Sequence, residues 1–228
     1  MLGGGDLFPL GLSIVVAAVA TALAFVVGVP LAWVLARRRF RGRGLVEIVV
    51  LLPMVLPPTV IGYYLLLAVG RRSVVGRAIE AVAGGPLVFT PAAAVLATLV
   101  AAAPFLVRAA QGGFEQVDRV YEDAARTLGR SEASVFLTIT VPLAWRGILA
   151  GTALCFARAM GEFGATLMLA GNVPGRTQTA SLAVYDAVQA GDLRRATTLA
   201  VALSAVTGAA LWLLTRAARP TDADAGDA

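Results

Sequence analysis

The chain has 228 residues, 58% of them apolar and 14% charged, with a mean hydropathy of +0.81, which leaves too little polar surface for a soluble globule and makes it a membrane protein. All 19 basic residues are Arg. Without Lys or His the chain has no means to build a Walker A phosphate loop, an HExxH zinc site, a Ser-His-Asp triad or a Schiff base.

The net charge of +5 does not point to nucleic acid, because the Arg residues cluster beside apolar segments, where they set membrane orientation. The N-terminus, MLGGGDLFPL, has no basic region before its apolar run and no convincing cleavage site, so a retained helix is expected and not a signal peptide. Leu10 to Ala36 is long enough to span, since about 20 apolar residues cross the hydrocarbon core. Arg37, Arg38, Arg39, Arg41 and Arg43 follow directly and read as cytoplasmic, which puts the N-terminus outside. Leu45 to Val69 is the second span, with Glu47 near its start and Pro53, Pro57 and Pro58 within it. Such a break is tolerated where neighbouring helices or a water-lined cavity satisfy the freed carbonyls, so the span either borders a pore or packs as a kinked helix. The loop Gly70 to Gly85 falls outside although it carries Arg71, Arg72 and Arg77, against the positive-inside trend. Pro86 to Val107 is the third span, with Pro91 and Pro104, and returns the chain to the cytoplasm at Arg108.

A polar, amphipathic insertion follows from Glu122 to Pro142. At helical spacing Phe114, Val117, Tyr121, Ala124 and Leu128 share one face, and Glu115, Asp118, Glu122 and Arg126 the other. Gly129 supplies a stop, Ser131 a cap for a second short helix with Val135, Phe136 and Ile139 on its apolar side, and Pro142 suits the first turn of the next span. The segment from Gln111 to Thr140 is expected in the cytoplasm. Leu143 to Ala170 forms the fourth span and Ala196 to Thr215 the fifth; between them Thr179 to Ala190 is too short to cross and reads as a re-entrant or external helix. Cys155, the single cysteine, lies in an apolar run and reads as a small packing residue. Residues 7–216 make one membrane domain, all-α with about five spans, and 217–228 a short, acidic, disordered tail; Arg216 and Arg219 lie inside.

Within the fourth span Arg158 and Glu162 stand four residues apart, with Gly161 and Gly164 around Phe163. Charges at such depth are expensive unless paired or wetted. Either the two neutralise each other between helices, or the glycines loosen the helix at a constriction where Glu162, Phe163 and Thr166 act as gate elements. A free carboxylate there would repel an anion, which favours a supporting role for Glu162. Beyond the span, Asn172, Arg176, Thr177 and Gln178 lie in a turn dense in hydrogen-bonding groups and form a candidate outer mouth.

Asp123-Ala124-Ala125, Gly129, Ile139 and Val141-Pro142 resemble the EAA loop of ABC-importer permeases, whose usual wording is Glu-Ala-Ala and Leu-Pro; Glu122 is an alternative acid for the frame. GEFGAT followed by AGNVPGRTQT, with the Leu31 to Arg37 element, resembles the molybdate-importer permease subfamily, and sulfate permeases carry a related GEFG segment. The resemblance implies a type I importer permease fold in the bacterial inner membrane. It also implies a homodimeric pore, two cytoplasmic ATPase subunits seated on the loop, and a soluble or lipid-anchored oxyanion-binding protein outside. Glu122, Asp123, Ala124, Ala125, Gly129, Ile139 and Pro142 are the coupling residues on this reading. No catalysis, cofactor or metal is expected of the chain itself. The competing classes are an integral-membrane enzyme, for which the chain has few tools, and a membrane scaffold, which would not need the EAA spacing.

Overall fold

The computed structural model describes residues 4–217; Arg219 and the rest of the tail lie outside them. The described chain is a bundle of helices in which four are long and apolar enough to cross a membrane. The first helix, α1 (Gly4–Arg37), runs unbroken through Pro9 and Pro30. The second expected span is instead two helices, α2 (Arg43–Val55) and α3 (Pro58–Val69). Pro57 and Pro58 force the residues before them into extended backbone, as seen at Leu56 and Pro57, and Pro58 then starts α3 where a missing N–H costs nothing. The loop beyond carries a short helix, α4 (Val74–Ala83), capped by the Ser73 hydroxyl.

The third span starts at Pro91 and not Pro86, because residues up to Thr90 form a turn in which the Thr90 hydroxyl accepts the Ala93 N–H. This helix, α5 (Pro91–Glu115), continues two turns past Arg108, whose guanidinium reaches Glu47 at 3.5 Å. After α6 (Arg119–Thr127) and the turn at Gly129 comes α7 (Glu132–Val135), which is not a separate helix. It passes through a π-helical turn, Phe136–Thr140, into α8 (Val141–Met160), so that residues 132–160 form one continuous rod. Pro142 has no N–H for the usual α-helical bond, and the π turn, with the Val141 N–H on the Phe136 carbonyl, lets the helix continue into it. The fourth span breaks at Gly161–Phe163 before the short α9 (Gly164–Ala170). Then α10 (Ala180–Gln189) packs beside α11 (Leu193–Ala217), which starts earlier than expected.

The core lies where α5 is sandwiched between α1 and α8, with Leu106, Phe114, Ile148 and Met160 fully buried among alanines. Small residues let the backbones close up: a Cβ on Gly147 would stand 2.6 Å from the Gly113 Cα. Within lipid, where apolar surface alone does not drive helices together, such close packing is a main source of association. Cys155 is buried in this core, as a packing residue.

Candidate functional sites: the α6 surface and the paired helix breaks

Asp118 caps α6 by accepting the Val120 N–H. At its other end Gly129 adopts φ +82°, and the Gly129 and Arg130 N–H groups return to the Arg126 and Ala125 carbonyls, the Schellman closure that a Cβ at Gly129 would strain. Ser131 then caps α7. Within α6 the faces assigned from the sequence hold, with Tyr121, Ala124 and Leu128 on one and Glu122 on the other, but the first face does not extend back to Phe114 and Val117. Phe114 and Val117 are buried, but Phe114 lies in α5 and Val117 in the turn at Gln116–Asp118, and both belong to the core; Tyr121, Ala124 and Leu128 point outward, with Leu128 85% exposed. Val120 joins them. The inward residues are Ala125 and Glu122, the latter only 3% exposed. A bulky side chain at Ala125 would therefore press on the protein's own core and not on a partner.

Glu122 is buried among partners that answer its carboxylate. Arg37 Nε lies 3.3 Å from its Oε1, the Thr140 hydroxyl donates to the same oxygen at 2.8 Å, and Arg126 approaches Oε2 at 3.9 Å. Arg37 also donates to the Val117 carbonyl at 2.6 Å. Asp123, by contrast, is exposed and pairs with Arg126, whose Nε donates to Glu132. Hydrogen bonding to Glu132 first, and to Asp123, holds the Arg126 guanidinium above its ordinary pKa. Ile139 is half-buried and Pro142 exposed on the rod that follows.

The second site lies where two interrupted helices meet. Gly164, at the break between α8 and α9, packs on the break between α2 and α3 so closely that a Cβ would come within 2.9 Å of the Pro58 Cβ. Arg158 Nη2 lies 2.7 Å from Glu162 Oε2, and Glu162 Oε1 accepts the Ala165 N–H at 2.8 Å. The carboxylate thus pairs with the last turn of one helix and accepts an N–H from the first turn of the next. Gly161 is exposed at the break, and the Phe163 ring packs on Tyr185 at 5.3 Å. Thr166 is fully buried, its hydroxyl 3.5 Å from that of Thr98.

In the turn after α9 most of the expected donors are already engaged within the chain. The Asn172 and Gln178 amides both donate to Asp186 of α10, at 2.7 and 2.6 Å, and Thr177 is buried, its hydroxyl accepting the Val173 N–H. Of the four, only Arg176 stands free on the surface, on the rim of a cavity of about 500 Å³ bounded by Gly84 to Thr90. The sequence reading missed Arg37, Thr140 and Asp186. Arg37 has one visible mark, as the first charge after an unbroken apolar run; nothing in the spacing singles out the other two.

Residues 28–218 match the family model described as the binding-protein-dependent transport system inner membrane component. The chain is 44% identical over 184 residues, 81% of each protein, to a putative molybdenum transport system permease protein of Bacillus subtilis. It is 44% identical over 178 residues, 78% of each, to the molybdenum transport system permease protein ModB of Escherichia coli, and 40% over 195 residues, 86% of each, to ModB of Azotobacter vinelandii. Among solved structures, a bacterial alginate ABC transporter in complex with its alginate-bound periplasmic protein superposes with a TM-score of 0.76 at 12% identity, over 95% of this chain and 79% of that one. The inward-facing MetNI methionine ABC transporter gives 0.70 at 15% identity, over 96% and 100%. With the helical bundle and its outward-facing α6, these place the chain in the family of binding-protein-dependent transport system inner membrane components, as a multi-pass, non-enzymatic permease subunit of the ABC importer type.

Proposed function

We propose that this chain forms the translocation pathway of an ATP-driven molybdate importer, with residues 7–216 as one permease unit. The permease relatives support the substrate. The outward apolar face of α6 carries the coupling assignment: Val120, Tyr121 and Ala124, with Leu128 at the C-cap, form an uncovered stripe along a helix of nine residues, which in water needs a partner. A cytoplasmic ATPase subunit covers it. That side of the molecule holds Arg37 to Arg43, so the N-terminus of α1 lies outside.

Two copies of the chain line the pathway, in keeping with Tyr63, Tyr64 and Leu67, which α3 leaves uncovered. Asp123, Ala124 and Gly129 serve the ATPase seat, while Glu122 and Ala125 fix α6 from beneath and Ile139 and Pro142 shape the rod behind it. Gly161, Phe163, Gly164 and Thr166 form the gate region, and Arg158 neutralises Glu162 so that a dianion meets no free carboxylate. A binding protein delivers substrate at the outer end, where Arg176 is the exposed cation of the turn and Asn172, Thr177 and Gln178 hold its shape. Uptake of labelled molybdate by the complex reconstituted with its ATPase and binding protein tests the reading. Import that excess sulfate does not compete away is expected; transport of sulfate and not molybdate contradicts the substrate.

A further inference from the structure

The inward side of α6 joins three parts of the chain that the fold could otherwise let slide. Arg37 is the last residue of α1, Glu122 lies in the first turn of α6, and Thr140 closes the π turn at the base of the fourth span. Glu122 Oε1 takes contacts from both others, at 3.3 Å from Arg37 and 2.8 Å from Thr140, and Arg37 ties the stretch before α6 as well through the Val117 carbonyl. The Arg37 and Glu122 side chains are 8% and 4% exposed, so water does not screen the pair.

We propose that Arg37, Glu122 and Thr140 form a buried tether that makes α6, the inner end of α1 and the base of the fourth span move as one body, so that displacement of α6 is passed to the spans. The tether rests on the reading of α6 as the ATPase seat. Ion pairs and hydrogen bonds fix direction and register between the elements they join, whereas apolar contact is non-directional and permits sliding. The attachment at Thr140 matters for the same reason: a π turn is a local irregularity in the rod, and the hydroxyl pins α6 to that irregularity. These are positioning residues, since none faces the ATPase.

The test uses the whole complex of permease, ATPase subunit and binding protein in proteoliposomes, reading molybdate imported per ATP hydrolysed. The double variant Arg37→Met/Glu122→Met replaces the pair with apolar side chains, an exchange that buried pairs tolerate without loss of fold. It is expected to keep the ATPase subunit and to hydrolyse ATP, while import per ATP falls about tenfold, the size of an ordinary coupling free energy. Thr140→Val, which uncovers no charge, is expected to lower the ratio by a smaller factor. Spin labels at exposed positions 39 and 119 give a readout independent of transport: their separation should stay fixed on ATP binding in the parent complex and change in the double variant. A double variant that couples like the parent, or whose label separation stays fixed, overturns the tether. Loss of the ATPase subunit from it does so too, because the pair would then serve the seat. Failure of the seat reading looks different: Leu128→Asp would retain the ATPase subunit.

Discussion

Two carboxylates, Glu122 and Glu162, are each 3% exposed and each answered by an arginine, yet the structure uses them differently. Glu162 is local: its arginine is one helical turn away, and its other oxygen takes the N–H of Ala165, three residues on. It manages the ends of one broken helix. Glu122 reaches further: apart from the 3.9 Å approach of Arg126 in its own helix, its nearer arginine ends a different helix and its hydroxyl donor lies in the rod that follows α6. The same chemistry closes a break in one place and joins elements in the other, and what decides is where in the chain the partners come from. Burial differs as well, because the Arg158 side chain is 26% exposed and that of Arg37 is 8% exposed.

The difference orders the effects of removing each acid. Glu122→Leu leaves the Arg37 guanidinium buried and unpaired, and a loss of about 3–5 kcal/mol in the stability of the detergent-solubilised permease is expected. Glu162→Leu leaves the Ala165 N–H without an acceptor and Arg158 without its carboxylate, but the Arg158 side chain is only partly buried, and a smaller loss of about 1–3 kcal/mol is expected. Chemical denaturation of the two variants side by side breaks the comparison if Glu162→Leu is the more damaging. Arg126→Ala comes last. It removes surface contacts to Asp123 and Glu132, where ion pairs contribute little, and the long 3.9 Å approach to Glu122, whose closer partners Arg37 and Thr140 remain, so a change in unfolding smaller than that of either acid is expected.

Much of this was legible in the sequence. Apolar runs of about 20 residues marked the spans, paired prolines marked the broken second one, and the Arg158–Glu162 spacing gave the local pair. Gly129 and Ser131 marked the turn because each does its work within four residues of itself. The direction of α6 was not legible. Helical period tells which residues share a face, and Tyr121, Ala124 and Leu128 do share one, but the rule that an apolar face turns inward assumes that the chain itself supplies the cover. Here Glu122 takes the inward place because Arg37 and Thr140 wait for it, and no local pattern announces partners brought by the fold. The turn at 171–178 was only partly legible for the related reason that composition counts donors without showing which are already engaged: Asp186 takes two of them.

The account stands most directly on the outward face of α6 being the ATPase seat. Leu128→Asp, at a residue 85% exposed and free of packing on the chain itself, tests that face without disturbing the fold. The measurement is co-purification of the ATPase subunit with the membrane-extracted permease. The variant is expected to reach the membrane in normal amount, unfold like the parent and lose the ATPase subunit, with molybdate uptake lost in step; an ATPase subunit still bound at full stoichiometry would contradict the account.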